Sequence, residues 1–386
     1  MTTNATFAAT FDGHTLKQAL ARVAPAVDAK SMMPVLRHCR FTTADDGHVT
    51  VTATNLDATL STTVAATVDT HGSLLVPFKT IQKAVSGASA RNSVSVTITS
   101  AGEPDTPKFV ADVDGVKVTN TTVALDEWPR TPLSDADTNT RSYPFNVDVF
   151  ATVAGFASDD ESRPILTGVY VHDGGVYAGT DSYRLVYVNT HTDLEFDPAD
   201  VSAASSDGIL VPARYAKMFA KHADGPDAVI EVNGCHARIR FPDLDATIRL
   251  IEGSFPAYRG LCPASTPASL NVGLGDLVEA TDKVHAMYKT VGTSNATPIR
   301  FSNGSDGHVS VSMHDTDGGD VNIEVPGTIR NLHAEAVAFN PAYLASILTG
   351  AEGTFVGVDP LKPWVLNWTD VDGFDHTRLL MPVRIS

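Results

Sequence analysis

Asp173-Gly174-Gly175-Val176-Tyr177-Ala178-Gly179-Thr180-Asp181-Ser182-Tyr183-Arg184-Leu185-Val186-Tyr187-Val188 is the stretch on which the reading of this chain turns. Its opening Asp-Gly-Gly has the composition of a hairpin tip, and the Val- and Tyr-rich run behind it reads as strand. A polar segment, Thr180 to Arg184, interrupts that run. Two other stretches begin in the same way: Asp46-Gly47-His48-Val49 and Asp306-Gly307-His308-Val309, each leading into alternating Val with Thr or Ser. The tips are 173 − 46 = 127 and 306 − 173 = 133 residues apart. A near-constant period of that length points to three copies of one domain, not to a solenoid of short repeats.

Other landmarks keep the register. A proline ahead of a helical segment recurs as Pro77, Pro212 and Pro341, and a closing proline as Pro129, Pro256 and Pro382. Leu16, Leu20 and Val23 lie at helical spacing, so the first copy opens with a strand and a helix over about 13–27. The corresponding helices fall at 147–157 and 277–287, and the second helices at 78–85, 213–222 and 342–348. The copies are bounded at 1–135, 136–262 and 263–386. Polar or Pro-rich linkers lie at 132–137 and 263–267, and an acidic insertion at 193–207 reads as a surface loop. The expected fold class is α+β, with two helices on antiparallel sheet in each copy.

At 386 residues, 43% hydrophobic and 19% charged, the composition is that of a soluble globular protein of two or three domains. No apolar run reaches membrane-spanning length, and the first residues lack the basic and apolar regions of a secretory signal. Cys39, Cys235 and Cys262 form no CxxC pair, so neither disulfides nor a zinc site is expected, and a reducing cytoplasm is. The net charge of −17 argues against nucleic acid unless the charges are segregated. There is no phosphate-binding loop, zinc-protease motif or nucleophile elbow. Asp159-Asp160-Glu161 reads as a solvated loop, and Asp315, Asp317 and Asp320 as a polar hairpin without the glutamate a calcium loop needs. The chain is therefore read as a non-enzyme with no cofactor and no metal.

The triplication resembles the bacterial sliding clamp, the β subunit of DNA polymerase III. The residues carrying the resemblance are Met33-Pro34-Val35-Leu36, Gly179-Thr180-Asp181-Ser182-Tyr183-Arg184-Leu185, Gly253-Ser254-Phe255-Pro256-Ala257-Tyr258-Arg259 and the terminal Leu380-Met381-Pro382-Val383-Arg384-Ile385. The family usually carries Thr-Asp-Gly-His-Arg-Leu where this chain has Ser182 and Tyr183 in place of Gly and His. Those departures mark a divergent member, with a phage origin among the readings left open, and they leave its partner preference open too.

The resemblance implies a ring of six domains from two chains, closed head to tail, with helices lining the hole. An acidic outside could then coexist with a basic lining. It implies duplex DNA, encircled without regard to sequence, a replicative polymerase, a clamp loader and a second copy as partners. For DNA it implies Arg22, Lys30, Arg163, Arg214, Lys217, Lys221 and Arg259, although basic residues at helical spacing are ordinarily a solvated face. For a peptide-binding groove it implies Leu166, Thr180, Ser182, Tyr183, Arg184, Leu185, Pro256, Leu261, Leu379, Met381, Pro382, Val383 and Arg384, with interdomain core as the alternative for the leucines. For the dimer contact it implies Met287 and Tyr288 against Lys117, Val118 and the helix at 80–85, with intradomain core as the alternative for Met287. The rival reading of the whole is a clamp-like protein that captures clamp-binding peptides without encircling DNA.

Overall fold

The computed structural model describes residues 7–44, 46–89, 94–101, 107–130, 133, 140–172, 175–192, 208–263, 265–266, 268–291, 297–314, 319–332 and 334–384. Asp173 and Gly174, the linker at 132–137 apart from Leu133, the insertion at 193–207, and Asp315 and Asp317 lie outside the described residues.

The first copy runs β1 (Ala8–Asp12), α1 (Gly13–Val23), β2 (His38–Thr43), β3 (His48–Thr54), β4 (Ala58–Ala65), β5 (Thr67–Thr70), β6 (Ser73–Pro77), α2 (Phe78–Ala84), β7 (Ser95–Ala101), β8 (Lys108–Val113) and β9 (Val116–Thr121). The second runs β10 (Arg141–Asn146), α3 (Val147–Ala154), β11 (Gly168–His172), β12 (Val176–Thr180), β13 (Arg184–Asn189), β14 (Gly208–Pro212), α4 (Ala216–His222), β15 (Asp227–Asn233), β16 (His236–Arg240) and β17 (Asp245–Arg249). The third runs β18 (Ala268–Val272), α5 (Leu274–Val291), β19 (Ile299–Asn303), β20 (His308–His314), β21 (Asp320–Arg330), β22 (Ala336–Phe339), α6 (Pro341–Leu348), β23 (Phe355–Gly357), β24 (Trp364–Thr369) and β25 (Asp375–Leu380). One order thus appears three times: strand, helix, four antiparallel strands of which the last returns to lie beside the first, helix, three strands. In the first copy the third of these four strands is broken into β4 and β5. The expected α+β plan is borne out.

Local chemistry explains the recurring parts. The hairpin tips turn on Gly47, Gly175 and Gly307, whose φ values of 78, 69 and 74° lie in the left-handed region that a side chain disfavours. Asp12 caps α1 by accepting from the Thr15 amide at 2.9 Å. Leu16, Leu20 and Val23 form its buried stripe, as their spacing indicates. Asn340 caps α6 by accepting from the amides of Ala342 and Tyr343, with Pro341 in the first helical position, where no amide is needed. α5 extends beyond both ends of the expected 277–287, and its buried stripe of Leu277, Ala280 and Val284 carries on to Tyr288.

The chain packs as two compact units, residues 1–146 with 220–250, and residues 147–219 with 251–386. The first holds a five-stranded sheet, β5-β1-β7-β8-β9, and an eight-stranded sheet, β10-β15-β16-β17-β4-β3-β2-β6. Its core includes Phe7 and Phe11, both edge-on to Phe41. The second holds a twelve-stranded sheet, β14-β11-β12-β13-β25-β24-β23-β18-β21-β20-β19-β22, over Phe301, Phe339, Phe355 and Trp364. Within each unit, strands of two copies meet in an antiparallel ladder. β4 pairs with β17 from Ser61 opposite Asp245 to Ala58 opposite Ile248. β13 pairs with β25 from Arg184 opposite Leu380 to Asn189 opposite Asp375.

Candidate functional site

The Thr180–Leu185 stretch is the turn joining β12 to β13. The Asp181 carboxylate accepts from the amides of Tyr183 and Arg184 at 2.9 and 2.8 Å, and the Thr180 hydroxyl donates to the Arg184 carbonyl at 2.6 Å. This tight local bonding, typical of Asp and Thr at turns, holds Ser182 at a φ of 83°. The Ser182 hydroxyl accepts from Arg163 Nη1 at 2.9 Å, and Arg163 Nε is paired with Asp160 at 2.9 Å.

Two arginines reach the end of α6 from this ladder. Arg184 Nε pairs with Asp181 at 2.9 Å and its Nη1 donates to the Ser346 hydroxyl at 2.7 Å. Its guanidinium lies 4.8 Å from the Tyr343 ring and 5.1 Å from Phe156. Arg378 Nη1 donates to the carbonyls of Ile347 and Thr349 at 2.8 and 2.6 Å, where the helix dipole favours a cation. Arg378 also lies 5.5 Å from Phe156 and 5.0 Å from Trp368, and burial draws its pKa down to about 10. Phe156 is thus within cation–π range of two guanidinium groups.

Beside them the surface is apolar and open. Tyr183 is 56% exposed and stacks on Tyr343 at 5.7 Å. The Met381 amide donates to the Tyr183 carbonyl at 3.0 Å, and the Val383 amide to the Ala338 carbonyl at 2.7 Å, which lays the tail past Tyr183. Met381 and Val383 are 36% and 37% exposed, Pro382 is half-buried, and Arg384, Pro256 and Leu261 are exposed. Leu185 and Leu379 face each other across the β13–β25 ladder and are buried in a cluster with Tyr170, Ala178, Leu210, Phe255, Tyr258 and Val365. They form core beneath this surface and not open walls; Leu166 and Thr180 are also buried.

The basic candidates divide. Lys30, Arg214, Lys217, Lys221 and Arg259 are exposed. Arg214 lies over the Tyr215 ring at 5.0 Å and Arg259 over Tyr258 at 6.0 Å. Arg22 is held by Asp243 at 2.8 Å, and the same carboxylate accepts from His222 at 2.9 Å, so its charge is already partnered. Lys79 and Lys83 on α2 are exposed and were not singled out by sequence reasoning. They have the same four-residue spacing as Lys217 and Lys221 in the corresponding helix of the second copy.

Of the residues named for a chain–chain contact, Met287 is 57% exposed, while Lys117 and Val118 lie on β9, the end strand of its sheet. Tyr288 points inward: it is 2% exposed and its hydroxyl is 2.8 Å from that of Thr297. It is core of its own unit, buried because α5 turns that side onto β20 and β21. Among the described residues no three His, Cys, Asp or Glu side chains gather as a metal ion would require. No described helix is long and apolar enough to cross a membrane.

No family model matches the chain. It is 24% identical over 409 residues to the "Beta sliding clamp" of Synechocystis sp., covering 96% of this chain and 97% of that one. The β sliding clamp of Caulobacter crescentus superposes with a TM-score of 0.80 at 20% identity, covering 99% of this chain and all of that one. The DNA polymerase sliding clamp of Bacillus subtilis gives 0.81 at 18% identity, covering 98% and 100%. The chain has the sliding-clamp fold along its whole length.

Proposed function

As a divergent homologue of the bacterial β sliding clamps, the chain, we propose, is itself a DNA sliding clamp: a non-enzymatic, cytoplasmic processivity factor that encircles duplex DNA and tethers a replicative polymerase. The observation that carries this reading is one order, strand, helix, four strands, helix and three strands, repeated three times over 96% of this chain and 97% of the Synechocystis clamp. We take the three domains as 1–135, 136–262 and 263–386, with two chains forming the ring. A topological tether keeps the polymerase at high effective concentration beside its template. With no nucleotide-binding loop of its own, the chain depends on an ATP-driven loader to open it.

The polymerase and loader would dock short extended motifs on the surface of Tyr183, Met381 and Val383, which offers exposed apolar side chains over a rigid floor. Burial of one ligand side chain there contributes about 1.5–3 kcal/mol, so a whole motif reaches roughly micromolar affinity after ordering costs. The deciding experiment is loader-dependent retention on nicked circular DNA, followed by linearisation. Retention that survives high salt on circles and vanishes on linear DNA is expected. Binding of polymerase peptides with no retention on circles would favour the peptide-capturing rival.

The dimer is tested with Met287→Asp, which puts a charge on an exposed apolar position. Light scattering should find monomers. Tyr288 is unsuited to the test, since a charge there would disrupt the core. A variant that stays dimeric would remove Met287 from the interface.

A further inference from the structure

We propose that the turn joining β3 to β4, Thr54 to Ala58, and the segment Lys30 to Met33 form a second docking surface. Its occupant is a short extended segment of a partner protein that carries an apolar side chain between carboxylates. The inference goes beyond the clamp reading and rests on it for one comparison, that of this turn with the peptide surface at Tyr183 and Met381.

The Thr54 hydroxyl donates to the Ala58 carbonyl at 3.1 Å, and the Asn55 side chain accepts from the amides of Asp57 and Ala58 at 3.1 and 2.8 Å. In the second copy Thr180 makes the same bond to Arg184, and Asp181 accepts from the amides of Tyr183 and Arg184. The Arg249 amide donates to the Asp57 carbonyl at 2.8 Å, as the Met381 amide does to that of Tyr183. Leu56, at a φ of 76°, stands where the second copy has Ser182 at 83°. Met33-Pro34-Val35-Leu36 likewise matches Arg163-Pro164-Ile165-Leu166, and the amides of Leu36 and Leu166 donate to the carbonyls of Met33 and Arg163 at 3.2 and 3.0 Å. The side chains of Arg163 and Ser182 meet at 2.9 Å, so Met33 and Leu56 hold neighbouring positions.

On this shared frame the first copy presents apolar side chains to solvent. Met32, Met33 and Leu56 are 92, 49 and 48% exposed. Leu56 carries two costs, a bulky side chain in the left-handed region and apolar surface left in water, and glycine would avoid both. Strain that the fold does not need marks a residue kept for a contact outside the fold. Methionines beside it suit such a contact, because their flexible thioethers adapt to the shape of a ligand. Charge selects the occupant. Lys30, Arg37 and Arg249 are exposed, and Arg37 Nε donates to the uncharged Ser31 carbonyl at 2.8 Å. The carboxylates among the same residues are Asp28 and Asp57, so cations are the majority here although the chain has 45 acidic residues against 28 basic ones. An apolar side chain flanked by carboxylates complements both features.

The test uses the full chain with carbon-13 in its methionine methyl groups, followed by NMR. The signals are assigned with Met32→Leu, Met33→Leu and Met381→Leu. The probe is the peptide acetyl-Asp-Glu-Leu-Phe-Asp-Glu-amide. It should shift the Met32 and Met33 signals saturably, and Met33→Ser/Leu56→Gly should weaken that binding tenfold or more. Leu56→Gly alone should raise the urea midpoint while weakening binding, which separates a docking residue from one that serves the fold. The same probe with lysine in place of its four acids should leave both signals in place. Unmoved Met32 and Met33 signals overturn the inference, as does a lysine probe that binds equally well. So does a lower urea midpoint in Leu56→Gly, or a short DNA duplex that shifts the two signals more than the acidic probe does. The Met381 signal reports separately on the surface at Tyr183, so a failure of that reading is distinguishable from a failure of this one.

Discussion

Ser182 holds a backbone conformation at φ 83° that costs a residue with a side chain about 1–2 kcal/mol relative to glycine. It stands where the sliding-clamp family usually has glycine, in a turn fixed by Thr180 and Asp181. Its hydroxyl bond to Arg163 is exposed and offsets little of that cost. Ser182→Gly should therefore stabilise the protein by about 0.5–1 kcal/mol, read as a higher urea midpoint; a lower midpoint would show that the Arg163 bond outweighs the strain. The departure itself was legible in the sequence, but the strain was not, because φ depends on how the neighbouring amides bond. Tyr288 teaches the same lesson in reverse. Its type and place in a helix suited an interface, and its burial together with its bond to Thr297 reveals that it faces inward.

Among elements, the end of α6 depends on an aromatic ring from another part of the unit. Phe156 is 6% exposed and lies within reach of both Arg184 and Arg378. Phe156→Ala should cost about 3–5 kcal/mol, from lost burial together with two weakened cation–π contacts, measured by chemical denaturation. The tail beyond β25 behaves differently. It is tied by the Met381 and Val383 amides, while the β13–β25 ladder ends at Leu380. A chain ending at Leu380 should keep its fold and dimerise normally yet lose polymerase-peptide binding in calorimetry; binding as tight as that of the full chain would relocate the groove. Helices and tips were readable from apolar spacing and glycine position. The ladders joining copies were not, since strand partners distant in sequence leave no local period.

At the scale of the whole molecule, acid should act in two steps. His38, His236 and His285 are held below the ordinary histidine pKa of 6.5, first by burial in each case. As pH falls below 6.5 the unfolded chain takes up protons that the folded chain resists, so stability is full above that pH and declines beneath it. Asp160, Glu279, Glu324 and Asp375 have lowered pKa values chiefly through hydrogen bonds from Ser162, Lys283, Ser305 and Thr369, and their contribution is lost in a second window, below their ordinary 3.8 to 4.5. Urea midpoints followed from pH 7.5 to 3 should show both declines, and changing the three histidines to Gln should flatten the first; a wild-type midpoint that is flat from pH 7.5 to 5.5 would contradict the assignment. The β13–β25 ladder also bears on synthesis. Asn189 emerges from the ribosome 375 − 189 = 186 residues before its partner Asp375. At about 5–20 residues per second, β13 waits roughly 10–40 seconds with one hydrogen-bonding edge bare. Such an edge is a template for pairing with other nascent chains. Slowed translation of the third copy should therefore lower soluble yield even when the finished protein is stable.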